Sequence, residues 1–265
     1  MKILIYILIG LIQGFTEPLP ISSSAHMVFF NYYFGLEDMN LSFEIIINFA
    51  STLAIALFFF KDLRSLIINT ILRKKESTYN HTYFMRLVIA SIPAALVGLF
   101  CHEMINTYFL SFLPCSIFLL ITGLFLLLSI AFLKKENNFS DTITYKQAFY
   151  IGTFQAMALI PGLSRSGLTM TAGLSQNIKL KASLKFSFFL YLIASCGALI
   201  LSLCKYNQDF VFSVPVLLSG LSAFIGTSIS IRLFYNHINK NFLNFFMCYC
   251  FILSIINIII YFTNF

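Results

Sequence analysis

The stretch Gln13-Gly-Phe-Thr-Glu-Pro-Leu-Pro-Ile-Ser-Ser-Ser-Ala-His26 decides how this chain folds. It is polar, holds two prolines, and lies between two apolar arms, Ile3 to Phe15 and Met27 to Leu36. Crossing a bilayer takes roughly 20 apolar residues, and each arm is shorter than that. Irregular backbone at membrane depth is tolerated only where it is buried in protein or lines a wet cavity. Two short arms joined by a polar, proline-broken tip therefore read as a re-entrant hairpin. Glu37 and Asp38 mark its return to water.

A second stretch repeats the pattern: Gln155-Ala-Met-Ala-Leu-Ile-Pro-Gly-Leu-Ser-Arg-Ser-Gly-Leu-Thr169. It lies between the short arms Ala148–Ile160 and Ser166–Leu174. In both stretches a glutamine is followed by a proline and then by serines.

The rest of the chain is apolar in longer runs. Of 265 residues, 59% are hydrophobic and only 10% are charged, with a mean hydropathy of +0.87. That composition predicts an all-α polytopic membrane protein. Full spans are expected at Leu41–Phe60, Tyr83–Cys101, Phe112–Leu133, Ala182–Cys204, Val211–Phe234 and Phe242–Phe262. No cleavable signal is expected, because the first arm runs into the polar stretch without a small-residue cleavage site. The net charge of +7 does not point to nucleic acid, since the basic residues sit in short loops between apolar runs. The six cysteines lack metal spacing and read as packing residues.

Placing the basic Lys61–Lys75 loop inside sets every other loop. All lysines and arginines then fall inside, except Lys2 and Lys205 outside and Arg165 within the membrane. The order is hairpin, three spans, hairpin, three spans, and the hairpins enter from opposite faces. Residues 1–135 and 145–265 thus form an inverted-topology repeat within a single membrane domain. In such folds the site lies near the midplane, where broken helices meet.

Each hairpin's second arm starts at its tip. Free N–H groups, hydroxyls and the positive end of a helix dipole make such starts anion sites. Ser22, Ser23 and Ser24 begin one arm; Ser164, Arg165, Ser166, Gly167 and Thr169 begin the other. Arg165 adds a planar fork suited to phosphate oxygens. Burying an arginine costs at least about 2.5 kcal/mol, so its presence asks for a reason. Ser23 and His26 lie three apart on one helix, a spacing that offers a nucleophile beside a base. Beside a phosphate, Glu17 must carry a proton, pair with Arg165, or hold a divalent cation such as Mg²⁺. Gln13, one turn earlier, adds a neutral oxygen. Glu44 and Asn48 share a face of the first full span, either toward the cavity or near the outer interface. His102, Glu103 and Asn106 read as a solvated turn.

At these residues the chain resembles the undecaprenyl-diphosphate phosphatase family, the bacterial bacitracin-resistance proteins. The family's (Glu/Gln)-x-x-x-Glu motif matches Gln13 to Glu17. Its Leu-Pro-x-Ser-Ser-x-x-His run matches Leu19 to His26, and its Pro-Gly-x-Ser-Arg-Ser-Gly-x-Thr motif matches Pro161 to Thr169. Phe43-Glu44 and Ile92-Pro-Ala94 are also familiar, and the resemblance covers the whole chain. It implies six spans and two re-entrant hairpins in the bacterial cytoplasmic membrane, with a site that opens outward. It implies hydrolysis of a C55 polyprenyl diphosphate to the monophosphate, which recycles the carrier lipid for peptidoglycan and protects against bacitracin. By resemblance Glu17, Ser23, His26 and Arg165 form the functional core, and a divalent cation, Mg²⁺ or alternatively Ca²⁺, is held by Glu17 with Gln13. A homodimer is compatible with the pattern. The chain departs from the family at Gln13, the neutral option, at Pro18, where an aromatic residue is common, and at Ala25, where glycine is common. Either Ser23 attacks phosphorus with His26 as base, or His26 activates water. The rival reading is a transporter or flippase for the same lipid phosphate, which needs Arg165 and the anion-binding starts but not Ser23 and His26.

Overall fold

A computed structural model describes residues 2–35, 41–71, 78–134, 139–205 and 213–263. The first half runs α1 (Lys2–Thr16), α2 (Ser23–Phe34), α3 (Leu41–Phe58), α4 (Phe60–Ile71), α5 (Thr78–Phe109) and α6 (Phe112–Leu133). The second half runs α7 (Tyr145–Met157), α8 (Arg165–Ser175), α9 (Leu180–Lys205), α10 (Val214–His237) and α11 (Lys240–Thr263). Among the described residues, the sole β pairing is an isolated bridge from Ser140 to Ile178, which ties the mid-chain link to the foot of α9.

Long apolar segments in α5, α6, α9, α10 and α11 can each cross a membrane. α3 with α4 makes a sixth only if the pair, bent by 78° at the break between them, is counted as one span. The protein is an all-α polytopic membrane protein, as its composition predicts. The hairpin arms α1, α2, α7 and α8 are short, as expected.

Two expectations are corrected. The basic stretch after Phe60 is not a plain loop, because Phe60–Ile71 forms α4. Leu63 and Leu66, three apart on one helix face, pack on the core, while Lys61, Asp62 and Arg64 stay exposed. His102, Glu103 and Asn106 do not make a turn either. They lie on the last turns of α5, where the Asn106 amide meets the His102 ring at 3.2 Å. Glu37, Asp38, Arg73, Lys74, Lys75 and Lys135 lie outside the described residues.

The helices pair across the two halves. α1 packs chiefly on α10, α7 on α5, and α6 on α11. The first two pairings depend on glycine. A Cβ at Gly10 would collide with the Ser219 carbonyl oxygen of α10, and one at Gly152 with the Ala90 carbonyl oxygen of α5. Small residues let backbones approach this closely where lipid provides no hydrophobic drive between helices. Gly10, Gln13 and Ser22 recur at identical spacing as Gly152, Gln155 and Ser164. Gly10 and Gly152 thus do the same packing on the two hairpins.

Candidate active site

The second tip is built around its glycine. Gly162 has φ +98°, and a Cβ there would lie 2.6 Å from the Phe118 Cβ and 2.7 Å from the Cys115 carbonyl oxygen. Thr122 of α6 clamps this turn from behind. Its hydroxyl donates to the Gly162 carbonyl and accepts from the Ser164 N–H, each at 3.0 Å. Ser164 then caps α8 by accepting from the Gly167 N–H at 3.2 Å.

The first tip carries its strain on a serine. Ser22 has φ +63°, a left-handed conformation that non-glycine residues seldom adopt. Its hydroxyl caps α2 by accepting from the Ala25 N–H at 3.4 Å.

The tips interlock. The Gly162 N–H donates to the Ser24 hydroxyl at 3.4 Å, and the Ser166 hydroxyl donates to the Leu19 carbonyl at 3.2 Å. At this junction Glu17 and Arg165 form an ion pair of 3.8 Å. The residues read from distant parts of the sequence do meet.

Glu17 is the hub. Its side chain is only 7% exposed. One carboxylate oxygen accepts from the Ser23 hydroxyl at 2.6 Å and from the Gln13 amide at 2.8 Å; the other faces Arg165. A buried carboxylate needs such partners, and hydrogen bonds to an ionised group are among the stronger ones. Gln13 also donates to Asn48 of α3 at 2.9 Å, so Asn48 belongs to the cluster. Glu44, four residues earlier, is exposed.

Arg165 is held from two sides and left open on a third. One nitrogen faces Glu17, and the guanidinium carbon lies 4.4 Å from the centre of the Tyr191 ring. Tyr191 is fixed in turn by a 3.0 Å bond between its hydroxyl and Thr52. The guanidinium Nη1 is buried without a protein partner. Buried donors are rarely left unmatched, and an unmatched one on an arginine fork asks for an anion.

His26 adjoins this cluster but is not bonded to Ser23. Its Nδ1 lies 2.8 Å from the Ser22 carbonyl and its Nε2 lies 2.7 Å from the Tyr249 hydroxyl of α11. The three-residue spacing puts Ser23 and His26 on one helix, but the hydroxyl turns to Glu17 instead. The hydroxyls of Ser22 and Ser164 serve as caps. Thr169 is fully buried, bonded to the Arg165 carbonyl at 2.7 Å and to the Ser187 hydroxyl at 2.6 Å.

Thr122, Tyr191 and Tyr249 escaped the sequence reading. Each is a hydroxyl-bearing side chain in an otherwise apolar stretch of helix, with no motif around it. Among the described residues, no three His, Cys, Asp or Glu side chains come together as a cation cage. Glu17 is the carboxylate at the junction, and Gln13 turns its amide nitrogen toward it.

Comparison with known proteins shows the family of the chain. Residues 6–256 match the family described as bacitracin resistance protein BacA. The chain is 38% identical to undecaprenyl-diphosphatase 2 of Bacillus thuringiensis (strain Al Hakam) over 265 residues, covering 97% of each chain. It is 35% identical to undecaprenyl-diphosphatase 1 of Bacillus licheniformis, covering 94% of this chain and 95% of the relative. It is also 35% identical to the undecaprenyl-diphosphatase of Acholeplasma laidlawii, covering 97% and 96%. A match that runs through both tips and nearly every helix is a match to the whole architecture, and the chain belongs to the bacitracin resistance protein BacA family.

Proposed function

We propose that this protein hydrolyses undecaprenyl diphosphate to undecaprenyl phosphate and inorganic phosphate, the activity named in its relatives. The observation that carries the reading is the Ser23 hydroxyl held on Glu17 at 2.6 Å, beside an arginine with an unmatched buried nitrogen. A lipid-phosphate carrier has no need of an alcohol bonded to a carboxylate, whereas phosphoryl transfer does.

The terminal phosphate sits where the two helix starts meet, with Arg165 on its oxygens. The Ser23 oxygen attacks the terminal phosphorus, and Glu17 takes the hydroxyl proton. The bond between the bridging oxygen and the terminal phosphorus breaks, and undecaprenyl phosphate leaves. Water then attacks the phosphoserine, which releases inorganic phosphate and returns the proton to Ser23. The alternative, water activated by His26, is disfavoured because both ring nitrogens are engaged.

Glu17 is also the residue that would hold a divalent cation. A single carboxylate fits Mg²⁺, which is commonly bound by one or two carboxylates together with substrate phosphates. Such an ion would offset charge on the diphosphate. Gln13 would join it only with its amide turned over.

The same reading places residues 1–135 and 145–265 as inverted repeats in the bacterial cytoplasmic membrane, with the site open to the outer face. The crossed pairing of α1 with α10 and of α7 with α5 supports the repeat. The concentration of basic residues on one set of loops supports the orientation.

The test is phosphate release from undecaprenyl diphosphate by the purified protein in detergent, with Mg²⁺ or with a chelator. Wild-type protein is expected to turn over, and Ser23→Ala to lose roughly a thousandfold or more. Full activity in Ser23→Ala would remove serine as the nucleophile. No release by wild-type protein under any metal condition would remove the hydrolase.

A further inference from the structure

We infer that Tyr249 is a positioning residue for the first tip, acting through His26. His26 in turn holds the backbone from which Ser23 projects and does not serve as the base for Ser23. This rests on the phosphatase reading above. Tyr249 lies on α11, far outside either tip motif.

The argument starts from the ring nitrogens. The Ser22 carbonyl can only accept, so the His26 nitrogen 2.8 Å away, Nδ1, carries a proton. In the neutral ring the lone pair is then on Nε2. That nitrogen meets the Tyr249 hydroxyl at 2.7 Å and accepts from it. The two rings lie nearly parallel, 3° apart, with centroids 5.7 Å from each other. The nitrogen able to act as a base is therefore occupied by α11, and the Ser23 proton is directed to Glu17 instead.

The other end of the chain of contacts is the strained residue. Ser22 adopts φ +63° and ψ +94° immediately before Ser23. Such a conformation persists only where surrounding contacts over-determine it. Its carbonyl receives the His26 ring N–H and, at 3.4 Å, the His26 backbone N–H. Without a partner at Nε2, the imidazole is free to turn over and release Ser22. The direction of the Ser23 hydroxyl then loosens. A second contact brings α11 to the same tip, since the buried Cys250 sulfur lies 4.0 Å from the Pro20 carbonyl. Order thus passes from Tyr249 to His26, from His26 to the Ser22 carbonyl, and from there to the attacking oxygen.

The test uses the purified full-length protein and undecaprenyl diphosphate in detergent. Tyr249→Phe keeps the stacked ring and removes only the hydroxyl. Its kcat is expected to fall about tenfold with KM within about twofold of wild type. In a His26→Ala background the same change is expected to cost nothing more, because its effect passes through the imidazole. Wild-type kcat in Tyr249→Phe, or losses that multiply in the double variant, would overturn the inference. A second readout does not depend on turnover. The chain has four histidines, and ¹⁵N NMR of labelled protein reads their tautomers. His26 is expected as the Nδ1–H form in wild type and as a mixture in Tyr249→Phe. An Nε2–H form in wild type would overturn the inference even if the substrate proved to be something else.

Discussion

The two hairpin tips share a framework and divide the chemistry. Gly10, Gln13 and Ser22 on one correspond in spacing to Gly152, Gln155 and Ser164 on the other, and both serines cap the helix that follows. Yet Leu159 stands where the first tip has Glu17, Arg165 where it has Ser23, and Leu168 where it has His26. The first tip supplies carboxylate, alcohol and imidazole; the second supplies the guanidinium. The glutamines show the same divergence. Gln13 bonds to Glu17 and Asn48, whereas both amide atoms of Gln155 are buried without partners. Two tips of like spacing thus bring unlike side chains to one junction, and the Glu17–Arg165 pair draws one member from each.

The division is broken most severely at the ion pair. Arg165→Ala and Glu17→Ala are each expected to lower phosphate release by about 10²–10³-fold. The double variant is expected to lose less than the product of the two, because the residues face one another. Multiplying losses would mean that the tips act independently. Arg165→Lys should recover little, since a point charge cannot reproduce the fork stacked on Tyr191.

The glutamines give a smaller and more pointed contrast. Gln13→Leu takes a donor from Glu17 and is expected to cost about tenfold in kcat. Gln155→Leu is expected to leave turnover within about twofold and to stabilise the protein by roughly 1 kcal/mol, because it replaces an unmatched buried amide with an apolar group. Thermal unfolding in detergent measures the second effect. A large loss of turnover in Gln155→Leu would show that the second glutamine still serves the site.

The frame itself should respond evenly. Gly10→Ala and Gly152→Ala each push a methyl group into a facing carbonyl. Both are expected to destabilise by about 1–3 kcal/mol, with little change in activity per folded molecule. A marked inequality in melting temperature would show that the halves carry unequal load.

Much of this was readable in the sequence, because the signals were local. Arms too short to span, with Pro18, Pro20 and Pro161 between them, announce hairpins from length and backbone chemistry alone. Pairing with Arg165 was one of three alternatives the sequence left for Glu17, and the structure brings the two within 3.8 Å. Spacing misled where one helix face offers several partners. Ser23 and His26 share a helix, yet the hydroxyl finds the stronger acceptor in Glu17 and the imidazole finds a carbonyl and a phenol. α4 was hidden because Lys61, Asp62 and Arg64 outweigh Leu63 and Leu66 in composition, although their periodicity is helical. Thr122, Tyr191 and Tyr249 were out of reach because their importance comes from contacts distant in sequence. Nothing beside them distinguishes them from other residues of apolar spans.

The crossed pairing has a consequence for how the molecule is made. α1 is made before α10, the helix it chiefly packs on, and the tip it carries is bonded by Gly162, Ser166 and Tyr249 of the second half. Until the second half is inserted, the leading hairpin has only its lesser neighbours α3 and α6 to pack on. The junction of Glu17 with Arg165 therefore closes only after the trailing half has been inserted.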